Sequence, residues 1–130
     1  MVQTPGVALN PTGKDFAAFL EADGEGGPVV MLNLLRFTDD GQEQYADYLR
    51  HTAETGRPYG VELVYAGLTV GALIAEDGQT WDAVLLARYP SRRHFADMIR
   101  DPEYQKGLAI REGALVETVL QPTVPWTVQL

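Results

Sequence analysis

The sequence predicts an α+β domain, a helix followed by elements in the order β-α-β-β-α-β, and three observations carry that reading. Residues 28–37 and 81–89 are apolar at both parities, as strands buried on both faces are. Tyr45, Tyr48, Leu49 and Thr52, and later Phe95, Met98 and Ile99, recur at helical spacing. Gly, Pro, Asp and Ser gather at the joints between these stretches. The order is that of the ferredoxin-like split βαβ unit. The 130 residues fit one domain, with 1–27 as an N-terminal helical extension, 28–120 as the core and 121–130 as an extended tail.

Each element has a local reason. Thr12 is placed to cap a first helix, with Asp15 in its acidic first turn and Phe16, Phe19 and Leu20 on one face. The cluster Gly24, Gly26 and Gly27 is expected to end it. Asp39, Asp40 and Gly41 turn the chain out of the first strand and cap the next helix, which Gly56 and Pro58 terminate. Residues 61–66 read as a second strand, followed by a bulge or bend at Gly67 and Gly71 and a turn at 76–79. Ser91 caps a helix carrying Phe95, Met98 and Ile99. Asp101 and Pro102 restart it, and it is expected to run through Tyr104, Leu108 and Arg111 to a stop at Gly113. Residues 115–120 form the fourth strand, and Pro122 and Pro125 keep the tail extended.

Side chains alternate across a strand. In the first strand Val29, Met31 and Leu35 point one way and Val30, Leu32 and Leu34 the other; in the third, Ala83 and Leu85 oppose Val84 and Leu86. Helices cover only one face of such a sheet, and a face left to water should be polar. Burying one Leu or Val contributes about 1.5–3 kcal/mol, so the second apolar face calls for a cover. The expected cover is a second copy of the chain, giving a homodimer through the sheet faces. The alternative is the N-terminal helix or the C-terminal tail.

The net charge of −8 repels phosphate backbones and anionic lipid, so neither nucleic acid nor a membrane surface is an expected partner. The absence of cysteine removes disulfides, thiol nucleophiles and metal–thiolate sites and is compatible with a reducing cytoplasm, the expected location. Residues 1–10 carry no leader pattern, and the longest apolar run is far too short for a bilayer.

The segment Met31-Leu-Asn-Leu-Leu-Arg-Phe37, then Tyr45 and Tyr48, Trp81-Asp82, Tyr89-Pro-Ser91, Asp101-Pro-Glu-Tyr-Gln105, Arg111 and Ala114-Leu115 stand in a familiar order. Over about residues 28–120 the chain resembles a small bacterial family known as a domain of unknown function, within the dimeric α+β barrel superfamily. The resemblance implies the fold and the homodimer. The wider superfamily includes cofactor-free monooxygenases, isomerases of small cyclic compounds and haem-binding enzymes, but a shared fold does not transfer an activity.

Candidate site residues are the polar and aromatic side chains that break the apolar faces. Asn33 lies inside an apolar strand, and a buried amide needs partners, either a neighbouring loop or a ligand cleft. Arg36 and Arg88 sit at strand ends, where each either pairs with a carboxylate (Asp82 shares a face with Arg88 by parity) or clamps an anionic ligand. Arg111, on a helix beside Glu112, has the same two readings, an ion pair at the surface or helix end or an anion clamp, and also matches the family pattern. Tyr65, Trp81 and Tyr89 are core, interface or ligand-stacking aromatics. Ser91 has a sufficient role as a cap, so Ser91 and His94 are not read as a nucleophile and base. His51 is expected to face solvent. Two isolated histidines without clustered carboxylates argue against a metal site, and the Gly-rich stretches fit no nucleotide motif, so no cofactor is expected. The expectation is a small-molecule-binding dimer lined by Asn33, Arg36, Tyr65, Trp81, Arg88 and Arg111. It acts either as a cofactor-independent enzyme or as a non-catalytic binding or assembly domain.

Overall fold

A computed structural model describes residues 9–22 and 26–130. Four strands, β1 (Val29–Phe37), β2 (Glu62–Leu68), β3 (Ala83–Tyr89) and β4 (Leu115–Thr123), form one antiparallel sheet in the order β2-β3-β1-β4. Five helices accompany them: α1 (Gly13–Glu21), α2 (Gly41–Thr55), α3 (Arg92–Arg100), α4 (Pro102–Gln105) and α5 (Leu108–Ala114). This is the ferredoxin-like βαββαβ order with an added N-terminal helix.

The expected caps are in place. Thr12 Oγ1 accepts the Asp15 N–H at 3.0 Å, Ser91 Oγ accepts that of His94 at 3.1 Å, and Asp101 Oδ1 accepts that of Glu103 at 2.9 Å. The start of α2 differs, because Asp40 makes no side-chain cap. There, closeness matters instead: a Cβ on Gly41 would stand 2.2 Å from the Ala114 carbonyl oxygen, so glycine lets α2 meet the end of α5.

Some boundaries moved. The first helix ends at Glu21, ahead of Gly26 and Gly27; Gly24 lies outside the described residues. The helix expected to run from Pro102 to Gly113 is two helices with a break at Gly107, and the second passes Gly113 to Ala114. The break is filled by His51, whose Nε2 faces the carbonyl oxygens of Glu103 (2.7 Å) and Tyr104 (3.3 Å) and therefore donates to them. That side chain is half-buried and does not face solvent as expected. The third strand starts at Ala83, leaving Trp81 and Asp82 just outside it. The bulge lies between Leu63 and Tyr65, inside β2, which runs on through Gly67 to Leu68. β4 extends to Thr123 and takes in Pro122; an edge strand tolerates proline because its outward N–H has no neighbour to serve.

The odd-numbered side chains of β1, Val29, Met31 and Leu35, are almost fully buried against the helices, together with Leu85, Tyr45, Phe95, Met98 and Leu115. The opposite face is apolar too. Leu32 pairs with Leu86, Leu34 with Val84 on one side and Val119 on the other, and Leu86 with Tyr65. The first five are half-buried and Tyr65 is exposed. Nothing described in the chain covers this face. α1 packs on α3, with the Phe19 and Phe95 rings 5.4 Å apart, and the apolar tail residues Val124, Trp126 and Val128 are exposed. Among the described residues no helix is long and apolar enough to cross a membrane.

Candidate functional site

Arg111 stands near the end of α5 and is only 7% exposed. Its Nη1 donates to the Leu9 carbonyl at 2.7 Å and to Asn10 Oδ1 at 3.0 Å, both uncharged. Neighbouring Glu112 does not pair with it but accepts the Asn10 amide at 3.0 Å. Among the described residues no carboxylate forms an ion pair with this guanidinium. A buried charge is ordinarily paired, so its surroundings matter.

Two adjoining cavities of about 470 and 580 Å³ lie between the helices and β4. Both are lined by Asn10, Pro11, Phe16, Phe95, Arg111 and Leu120. The larger also reaches Asn33, Tyr48 and Tyr104. A smaller space of about 200 Å³ lies between α2 and the sheet and shares Asn33 and Tyr48. Asn33 is half-buried, and its Nδ2 makes one described bond, 3.2 Å to the Met31 carbonyl.

The phenols of Tyr48 and Tyr104 touch, with their hydroxyl oxygens 2.5 Å apart. Burial, then the neighbouring Tyr48, pushes the Tyr104 phenol well above its ordinary range, and Arg111 partly opposes this. Tyr45 is raised by burial and then by Tyr48, and the Arg111 charge partly opposes this. Both therefore stay neutral near pH 7 and offer hydroxyl groups as donors or acceptors. The site thus combines one buried cation, a pair of buried hydroxyls and one amide with an apolar wall of Phe16, Phe95 and Leu120. Its chemistry is recognition of an anion with an apolar body.

The sheet divides the expected site residues. Asn33 and Arg111 share the helix-side cleft. Arg36 and Trp81 lie together at the other side, the guanidinium 5.2 Å from the indole centroid. Arg36 is occupied by Glu117 at 3.0 Å, Thr80 at 2.8 Å and the Gly78 carbonyl at 3.3 Å. Arg88 and Tyr65 are exposed, with the parity of the open sheet face. The ion pair expected between Arg88 and Asp82 does not form, because Asp82 lies outside the strand and its carboxylate accepts the Phe37 backbone N–H at 2.8 Å. A single cleft holding Asn33, Arg88 and Trp81 is therefore not what the fold builds. Tyr48 and Tyr104 were not singled out as site residues. Their signal was present, since a tyrosine on the apolar face of a helix brings a hydroxyl that needs a partner. Ser91 Oγ lies 2.7 Å from His94 Nδ1, beside the bond that caps α3. Among the described residues no group of three or more His, Asp or Glu gathers to hold a metal.

Comparison with known proteins adds the following. No protein with a curated description matches the chain. The crystal structure of RPA0582, a protein of unknown function from Rhodopseudomonas palustris, is 33% identical with a TM-score of 0.84, over 94% of this chain and 99% of that one. A hydroxynitrile lyase from Passiflora edulis is 12% identical with a TM-score of 0.61, over 80% and 99%. A dimeric ferredoxin-like protein of unknown function from Thermobifida fusca is 17% identical with a TM-score of 0.52, over 78% and 93%. The last two show the fold alone. The profile of the family described as Domain of unknown function (DUF1330) matches residues 31–121, and the chain belongs to that family.

Proposed function

We propose that this protein binds a small monoanionic molecule with an apolar body, holding the anion on Arg111 between the helices and the sheet. The observation that carries this reading is a guanidinium 7% exposed, bonded to neutral oxygens and lining two cavities. An ion of this kind keeps unused N–H groups in a dry setting, where a ligand carboxylate can take two of them at once. We propose further that two copies pair through the open sheet faces, since Val30, Leu32, Leu34, Val84 and Leu86 otherwise remain half in water. The assembly stated for the Thermobifida fusca protein supports this pairing.

Calorimetric titration with cinnamate and with its neutral amide, cinnamamide, tests the binding. The carboxylate binds and the amide does not; equal binding of both would remove Arg111 from the account. Light scattering tests the pairing, with twice the chain mass expected at micromolar concentration and a single-chain mass counting against it.

A further inference from the structure

The walls of the larger cavity restrict what can occupy it. Two guanidiniums line it, the buried Arg111 and the exposed Arg100, which lies over the Phe16 ring, and a carboxylate, Glu112, stands in the same wall; Asp15 lines the adjoining space. A doubly charged phosphate would set its second charge against Glu112 and Asp15 with only the exposed, solvent-screened Arg100 to offset them, whereas a carboxylate is matched by the Arg111 fork alone. The body of the space is aromatic. The Phe16 and Phe95 rings lie 6.4 Å apart, inclined at 34°, and Leu120 faces the same space. Such walls favour a flat ring over a branched aliphatic chain.

The same cavity is also polar at Asn33, Tyr48 and Tyr104. Tyr48 and Tyr104 are 7% and 3% exposed. Between them the two phenols have two hydroxyl protons, and their mutual bond uses one. One O–H is left to donate. Asn33 spends an N–H on Met31, and its Oδ1 has no described partner. The polar groups beyond Arg111 therefore offer donors, the free phenol O–H and the second Asn33 N–H, together with an acceptor, Asn33 Oδ1. A carbonyl on the ligand would answer only the donors; a hydroxyl answers a donor and the acceptor at once.

Resting on the anion-binding reading above, we propose that the ligand is a hydroxyaryl monocarboxylate. Its carboxylate sits on Arg111, its ring against Phe16 and Phe95, and its phenolic hydroxyl between Asn33 Oδ1 and the Tyr48–Tyr104 pair. Buried polar groups left unanswered are what make a site reject the ligand lacking the matching hydroxyl.

The test compares para-hydroxycinnamate with cinnamate on the unmodified protein by calorimetry, with phenyl phosphate and cinnamamide alongside. The hydroxy acid is expected to bind at least about tenfold more tightly than cinnamate, one well-made hydrogen-bonding group in a dry site being worth on that order. Phenyl phosphate is expected to bind more weakly than either. In a chain carrying both Tyr48→Phe and Tyr104→Phe, with its fold checked by circular dichroism, the preference falls toward parity while cinnamate still binds. Equal affinity for the two acids on the unmodified protein overturns the hydroxyaryl assignment and leaves the anion reading standing. Cinnamamide binding as well as cinnamate, or none of the four binding, overturns both.

Discussion

Replacing Arg111 with methionine separates a structural arginine from a ligand-binding one. Methionine keeps much of the stem volume and removes the charge. A charge-assisted hydrogen bond contributes about 1.5–3 kcal/mol, and the side chain donates two, to Leu9 and Asn10. Against that stands the cost of holding an ion out of water, several kcal/mol even after relaxation. Asn10 is exposed and can turn its amide oxygen to solvent, which leaves the Leu9 carbonyl as the one group deprived. The two contributions are similar in size, so Arg111→Met is expected to change stability by no more than about 2 kcal/mol, whereas breaking a buried ion pair costs about 3–5 kcal/mol. The assay is chemical denaturation of both chains, with and without cinnamate. In the unmodified protein, ligand at one hundred times its dissociation constant adds about 2.7 kcal/mol. In Arg111→Met that increment disappears. A loss of 4 kcal/mol or more in the ligand-free protein would refute the reasoning, because it would mean that the charge is compensated by the fold itself.

Four other outcomes follow from the geometry. Leu86→Glu places a charge in the middle of the open face, and analytical ultracentrifugation is expected to find single chains with unchanged circular dichroism. Gly41→Ala sets a methyl group 2.2 Å from the Ala114 carbonyl oxygen and is expected to lower stability by about 3 kcal/mol in urea denaturation, at the upper end for overpacking because the obstacle is backbone. Gly107→Ala brings a Cβ to 2.5 Å from His51 Cδ2 and pushes the ring off the Glu103 carbonyl; the cost is about 1 kcal/mol and adds less than fully to that of His51→Ala in a double-mutant cycle. The Tyr59 hydroxyl, 2.7 Å from Asp101, and then the Glu103 backbone N–H hold the Asp101 carboxyl below its usual 3.8. The stability it lends is present above that pH and lost as pH falls through the lowered value. Tyr59→Phe is expected to return the Asp101 titration, followed by carbon NMR, toward 3.8 and to weaken the acid sensitivity of folding.

The parts of the fold that could be read from the chain are those set by local rules. Thr12, Ser91 and Asp101 cap as residues of their type do, and β1, apolar at both parities, has one face buried and the other half-buried. The errors arose where a distant residue decides. Nothing near Gly107 in sequence announces the break between α4 and α5, because the group that fills it, His51, lies on α2. Pro122 suggested a strand end at 120, but its tolerance depends on β4 being an edge, a property of the whole sheet. For the site, parity alone separates Asn33 from Arg36, whereas separating Trp81 and Arg88 from Asn33 takes the start of β3 and the side occupied by the helices, which no local rule supplies. Arg111 carried a local alternative, pairing with Glu112, that the structure replaces with Leu9 and Asn10 from the far end of the chain.

The two outer strands carry features whose joint effect concerns growth beyond a pair. At one margin of the sheet the register slips between Leu63 and Tyr65; at the other Pro122 interrupts the row of amides. Irregularity and proline at sheet margins impede the lateral stacking from which fibrils begin. Lateral polymerisation is thereby discouraged on both flanks, while the broad apolar surface between them stays available. An assembly that uses only this surface consumes it once and then terminates, so raising the protein concentration should fill a finite complex rather than lengthen a filament.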